Sequence, residues 1–321
     1  MDFKAPPSFE SNLEEAFGII EQARSQGDDR QFMRRWVYSS FFENDANGLE
    51  RLRDGLRSQQ DNSEEAYARL LIMVTVFTTE LLNLGLELCE YAGVPPGVHL
   101  VLQEVVGWLS QQYHRNRESP VMGTSQCLAA LQDLLGTVVQ HTTHPKWDKM
   151  QPEAVAFHRR VPPFSQDVVC EALLALLSLV DSDDEALLED VVASCVLLFA
   201  LDHDALVLNM VLQHSHANTF AVVLLSVFNR GAKLPAASGL GFLKALFSLP
   251  ELQGFFFPRD TVVLSEILMR NIQDYDDDFG PALLADYKEV LQLVVNSALY
   301  AESLQGKPDI QPYLDRIWNQ E

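Results

Sequence analysis

The side chains of this chain that could do chemistry fall into three sets: paired histidines, runs of acids and small groups of cations. His214-Ser215-His216 has i, i+2 spacing. That spacing turns the two imidazoles to opposite sides of a helix, so joint metal chelation would need an extended segment. His141 and His144 are three apart and can share a helical face, yet no carboxylate or cysteine stands near them in sequence and Pro145 ends the helix. Histidines in a last helical turn suit the negative end of the helix dipole and need no metal. The acids gather as Asp181, Asp183, Asp184, Glu185, Glu189 and Asp190, then as Asp274, Asp276, Asp277 and Asp278. Asp276 and Asp278 are spaced like calcium-loop ligands, but the glycine at position six and the glutamate at position twelve are missing. Both clusters therefore read as solvated turns between helices.

The sequence carries no nucleophile or phosphate-binding motif. No G-x-S-x-G elbow is present, Gly306-Lys307 lacks the upstream glycine of a phosphate loop, and Gly239-Leu240-Gly241 lacks a preceding strand and a third glycine. The glycine pair reads as a helix-packing or turn feature. The expectation is a protein with no catalytic residues, no metal and no cofactor. An all-α enzyme whose site is assembled from scattered residues is the minor alternative.

The cations are the more informative set. The chain has 23 Lys and Arg against 45 Asp and Glu, a net charge of −22. This balance argues against binding a phosphate backbone, which relies on Lys and Arg replacing condensed counterions, and against binding an anionic membrane. Within so acidic a chain, local basic groups can steer an acidic protein partner. They are Arg30, Arg34 and Arg35; Arg51, Arg53 and Arg57; Arg115 and Arg117; and His158, Arg159 and Arg160. Arg230, Lys233 and Lys244 are among the few cations between Asp190 and Arg259. The competing reading is local i, i+4 pairing with acids. Arg270, four residues after Glu266 and four before Asp274, shows the same ambiguity.

The elements that position these residues are helical almost throughout. In Ser165 to Val180, Val168, Ala172, Leu173, Leu176, Leu177 and Val180 line one helical face, while Leu174 and Leu179 add apolar side chains elsewhere, which implies cover on both sides. Ser182 and Glu185 read as a capping box ahead of Leu187, Leu188, Val191, Val192 and Cys195. Helices follow over Leu206 to His214 and Thr219 to Phe228, with Gly231 suited to a left-handed C-terminal position. Pro235 opens the next, through Leu249, and Asp260 is placed to cap a helix with Val263, Leu264, Ile267, Leu268 and Ile272 as its buried stripe. Gly280-Pro281 opens one running to Tyr300, and a short helix spans Tyr313 to Trp318. In the N-terminal half, helices are expected over Leu13 to Ala23, Phe32 to Phe42, Leu70 to Tyr91, Val98 to Tyr113 and Cys127 to Val139.

Helical hairpins about every 40 residues, at least twelve helices and no strand pattern give an all-α fold class, an armadillo or HEAT-like α-solenoid. We divide it as 1–145, an N-terminal helical part; 146–163, a connection containing Pro152, Pro162 and Pro163; and 164–321, a C-terminal armadillo-like part. With 47% apolar residues the chain can bury a full core. No apolar run reaches the roughly 18 residues that span a bilayer. No secretory signal is expected from the start Met1-Asp2-Phe3-Lys4. Cys89, Cys127, Cys170 and Cys195 lie far apart in apolar helical patterns, as suits reduced thiols in the cytoplasm.

The order of blocks from Val168 to about Ala298 resembles the leucine-rich, armadillo-like domain of the WISH/DIP/SPIN family, the Dip and Ldb proteins of fungi and their animal relatives. The blocks are Val196-Leu197-Leu198-Phe199-Ala200-Leu201, Asn209-Met210-Val211-Leu212 leading into Asn218-Thr219-Phe220, and Leu224 to Arg230. Leu243 to Pro250, Phe255-Phe256-Phe257, Asp260 through Ile272, and Tyr287 with Val290-Leu291 continue the series. The family has Asn-Glu where this chain has Asp202-His203, and glycine where it has Ala221. The resemblance implies a non-enzymatic activator of the Arp 2/3 complex that nucleates linear actin filaments. It further implies partners in that complex and, through it, actin, and a place in the cortical actin cytoskeleton. A different solenoid scaffold, for a small GTPase or a formin-type regulator, is the alternative. The candidate partner-binding residues are Arg230, Lys233, Lys244, Arg270 and Asn271. Reversing Arg230 and Arg270 to glutamate is expected to weaken binding by roughly 2 kcal/mol or more and to leave the fold intact.

Overall fold

The computed structural model describes residues 96–115, 124–143, 164–201, 206–231, 233–249, 255–274 and 281–303, with scattered helical residues between 67 and 83. The expected helices at Leu13 to Ala23, Phe32 to Phe42 and Tyr313 to Trp318 lie outside the described residues. So do the basic groups at Arg30 to Arg57 and His158 to Arg160, the acids Asp276 to Asp278, the pair Asp202-His203, and the side chains of His141, His144, Arg115 and Arg117.

Every regular element among the described residues is an α-helix: α1 (Pro96–Arg115), α2 (Thr124–Thr143), α3 (Gln166–Leu177), α4 (Glu185–Leu201), α5 (Leu206–Gln213), α6 (Ala217–Arg230), α7 (Ala236–Phe247), α8 (Pro258–Gln273), α9 (Pro281–Val295) and α10 (Ala298–Ser303). None of these helices is by itself long and apolar enough to cross a membrane. The chain divides into two compact units, Met1–Leu176 and Leu177–Glu321. In the first, α1 packs on α2 through Val98, Val101, Leu102, Val105 and Leu109 and through Cys127, Leu128, Leu131, Leu134, Leu135 and Val138, all buried. Leu176 is fully buried, but Leu174 is exposed, so the expected cover on both sides of α3 fails at that position.

The second unit is built around α4, buried without a break from Leu187 to Leu198. A helix apolar around its whole circumference needs neighbours on several sides, and α4 has α5, α6 and α7. Its start differs from the expected capping box. Asp184 is the cap, its Oδ1 accepting the backbone N–H of Ala186 at 3.0 Å and of Leu187 at 3.2 Å, while the Ser182 hydroxyl accepts the Asp184 N–H. Asp184 sits next to the first helical residue, within reach of two orphan donors, and Ser182 is two residues too early. Gly231 ends α6 at φ 66°, the left-handed geometry expected of it, with its N–H on the Val227 carbonyl.

Two further boundaries moved. Asp260 is the third residue of α8, and its Oδ2 accepts the Phe257 N–H at 2.9 Å, because Pro258, lacking an N–H, already starts the helix. The last long helix stops at Val295, and α10 is a separate short element. On α8 the buried stripe is Thr261, Leu264, Ser265, Ile267, Leu268 and Ile272. Val263 is not part of it. Thr261 and Ser265 tolerate burial because their hydroxyls donate to the carbonyls of Pro258 and Val262 at 2.7 Å. The stripe is thereby rotated toward them, and Val263 moves to the Arg270 side of the helix.

Candidate functional site

In the second unit the candidate cations Arg230, Lys233, Lys244 and Arg270 are held by cross-helix bonds. Arg230, in the last turn of α6, donates to Glu189 and, at 3.0 Å, to Glu185 of α4. Lys233, just beyond α6, donates to Asp190 Oδ1 at 2.6 Å and lies 3.7 Å from Glu189 Oε2. Its ammonium also reaches the Ala186 carbonyl at 3.4 Å. Glu189 and Asp190 are only 6% exposed. A carboxylate taken out of water costs several kcal/mol unless a cation and further donors compensate it, so these two cations are part of what lets α4 be buried. The acids at this end of α4, expected to be a solvated turn, are thus solvated only as far as Glu185.

Lys244 of α7 donates to Glu289 Oε2 of α9 at 2.6 Å, and this hydrogen bond holds its ammonium pKa above the ordinary value. Arg270 of α8 donates to the side-chain oxygen of Asn229 at 2.6 Å. Asn271 donates to the Tyr287 hydroxyl of α9 at 3.5 Å. The pairing is therefore not local. The bonded residues lie 41 to 45 positions apart for Arg230, Lys244 and Arg270, where i, i+4 pairing was the competing expectation. Arg270 has turned from Glu266 and Asp274 toward the neighbouring helix.

Asn229 precedes Arg230 and bonds Arg270, so Arg230 and Arg270 belong to one edge formed by the ends of α6 and α8, with Lys233 next along the chain. Lys244 stands elsewhere, between α7 and α9, and Asn271 turns toward α9. The ring pair Phe220 and Phe255, with centroids 6.2 Å apart, joins the starts of the same two helices. Joined at both starts and both ends, α6 and α8 run parallel. The α4–α6 pair runs antiparallel, since Arg230 and Ser226, going back along α6, meet Glu185 and Glu189, going forward along α4.

Other sequence candidates have structural roles. The Gly239 Cα faces Phe228 and Leu234, and a Cβ there would meet Phe228 Cδ2 at 2.8 Å, while Gly241 has open space. His214 and His216 have ring centroids 5.7 Å apart, and His214 Nδ1 accepts the His216 N–H at 3.3 Å. Partial burial and the neighbouring His216 hold the His214 pKa below the usual histidine value, against the pull of Asp181. Among the described residues no three His, Cys, Asp or Glu side chains converge as a metal site. Burial pushes the Cys127 thiol up to about 12 and raises Cys195 further, so neither is a ready nucleophile.

Sequence reasoning missed an apolar component of this surface. Val222 on α6, Phe257 at the start of α8 and Val263 on α8 are 53%, 53% and 46% exposed. No signal in the sequence marks it: Val222 and Val263 share the 41-residue offset of the Asn229–Arg270 bond, and that bond is visible only in the fold.

Residues 185–309 match the family model for the SPIN90/Ldb17 leucine-rich domain. The match begins with α4 and runs through α10, so it takes in α6, α8 and all five candidate residues. This family is a non-catalytic, adaptor-type domain family with a role in actin-related regulation. No solved structure matches the chain.

Proposed function

We propose that the chain is a non-enzymatic α-solenoid that binds and activates the Arp 2/3 complex, nucleating linear actin filaments at the cytoplasmic actin cortex. The observation that carries this reading is the SPIN90/Ldb17 leucine-rich domain over residues 185–309. The cross-helix bonds 41 to 45 residues apart support a repeating stack, with α6 and α8 as parallel equivalents in successive repeats. A stack of that kind offers a continuous surface on which a partner can be held along its length. We assign the partner contact to the edge that carries Arg270, where the guanidinium meets only a neutral amide. Arg230, Lys233, Lys244 and Asn271 already have partners on neighbouring helices. Activation further requires that this surface bind the filament-like arrangement of the complex more tightly than its resting one.

The test is actin assembly followed by pyrene fluorescence with purified protein, with and without Arp 2/3 complex and without preformed filaments. A lag shortened only when both proteins are present, with unbranched filaments under the microscope, is the expected result. Assembly curves that superimpose with and without the chain would refute the proposal.

A further inference from the structure

We infer that the α6–α8 face docks an acidic, amphipathic segment of the protein partner, with Val222 and Val263 as its apolar floor and Arg259 and Arg270 as its charge clamps. The inference deepens the preceding reading and rests on it for the partner's identity. Of the three exposed large apolar side chains among the described residues of the second unit, Val222 and Val263 fall on these two helices and Phe257 stands just before α8. Scattered single exposures are ordinary on a protein surface, but a cluster is not.

The two valines are brought together by the register of the helices. Asn229 and Arg270 are bonded across the parallel pair. Val222 and Val263 each lie seven residues before one of them, two turns back along the same faces. They therefore face solvent side by side, one from each helix. Phe257 stands in extended backbone at the start of α8, at φ −79° and ψ 153°, while Phe255 and Phe256 before it are buried.

The charge on the face points to the occupant. Arg230, Lys233 and Lys244 have their charge matched by acids in the fold. Arg270 is bonded only to a neutral amide, and Arg259 makes no ion pair among the described residues. Arg259 lies one turn before Val263 and Arg270 two turns after it, both exposed. Of the acids on α8 and at its end, Asp260 is taken up by the Phe257 N–H, Glu266 is exposed between the two arginines, and Asp274, the C-cap, is exposed one turn beyond Arg270 with no ion pair to its guanidinium. At the helical rise, Glu266 is about 10 Å from Arg259 and about 6 Å from Arg270 along the axis. The complementary segment presents carboxylates at both ends, a cation or hydrogen-bond donor between them, and apolar side chains facing the two valines. In a chain of net charge −22, this is a face where an acidic ligand meets cations the fold has not neutralised.

The experiment uses the full chain and purified Arp 2/3 complex, with affinity read by fluorescence anisotropy. The double variant Val222→Ser with Val263→Ser and the single variant Arg259→Glu should each bind at least tenfold more weakly, with circular dichroism and urea midpoints unchanged. Leu174→Ser, which removes an exposed apolar side chain from the other unit, should bind like wild type. Wild-type affinity in the face variants would overturn the inference and leave the activator reading standing, as would an equal loss in Leu174→Ser. Failure of the wild-type chain to bind the complex would overturn both.

Discussion

Reversing Arg230 to glutamate should damage the fold before it reports on any partner. The guanidinium compensates Glu189, a side chain 6% exposed, and also bonds Glu185. Arg230→Glu removes that compensation and brings a third carboxylate to the same place. Removing one partner of a fully buried pair costs about 3 to 5 kcal/mol, and an exposed pair is worth about 0 to 1 kcal/mol. Arg230 is itself half exposed, and Lys233 remains 3.7 Å from Glu189, so water and a second cation soften the loss. The cost should fall between the two limits, at about 2 to 3 kcal/mol. Arg270→Glu is the comparison, because Arg270 is exposed and bonds only Asn229, and its cost should stay within about 0.5 kcal/mol. Urea denaturation followed by circular dichroism reads both. An Arg230→Glu midpoint equal to wild type would refute the argument and would mean that the α4 acids need no cation. If the cost appears, the expectation that both reversals leave the fold intact fails at Arg230, and binding at that residue is better probed with Arg230→Met.

Three further outcomes follow from the packing. Leu176→Ala and Leu268→Ala, at fully buried positions, should each cost about 2 to 5 kcal/mol in urea melts. Gly239→Ala should destabilise by about 1 to 3 kcal/mol, since its Cβ meets Phe228 at 2.8 Å. Gly241→Ala, in open space on the same helix, should stabilise by about 0.5 to 1 kcal/mol; thermal melts of the two variants should shift in opposite directions. His214 has a lowered pKa in the fold, so the unfolded chain binds its proton first. Stability should fall as pH drops below about 6.5, and His214→Gln should flatten that part of the profile in melts taken between pH 5 and 7.5.

The helices were legible because helix formation is encoded locally: apolar spacing near 3.6, proline at a first turn and glycine at a left-handed end mark α4 to α9 in one dimension. The burial of Leu176, Leu268 and the long apolar run of α4 followed from the same pattern. The ends were less legible, since Asp184 and Ser182 are both plausible caps and only backbone geometry selects between them.

Partner choice among charged side chains was decided by tertiary structure alone. Acids four residues away were available to Arg270, yet helix packing brought Asn229, 41 positions distant, into hydrogen-bonding range. Val263 shows the same limit on the apolar side. One position, or about 100° of helix rotation, separates it from Leu264, and two self-satisfied hydroxyls at Thr261 and Ser265 turned the buried face away from it. Periodicity determines that an apolar stripe exists. Which neighbours pack against the helix determines where its edges lie, and so which valine is left for a partner.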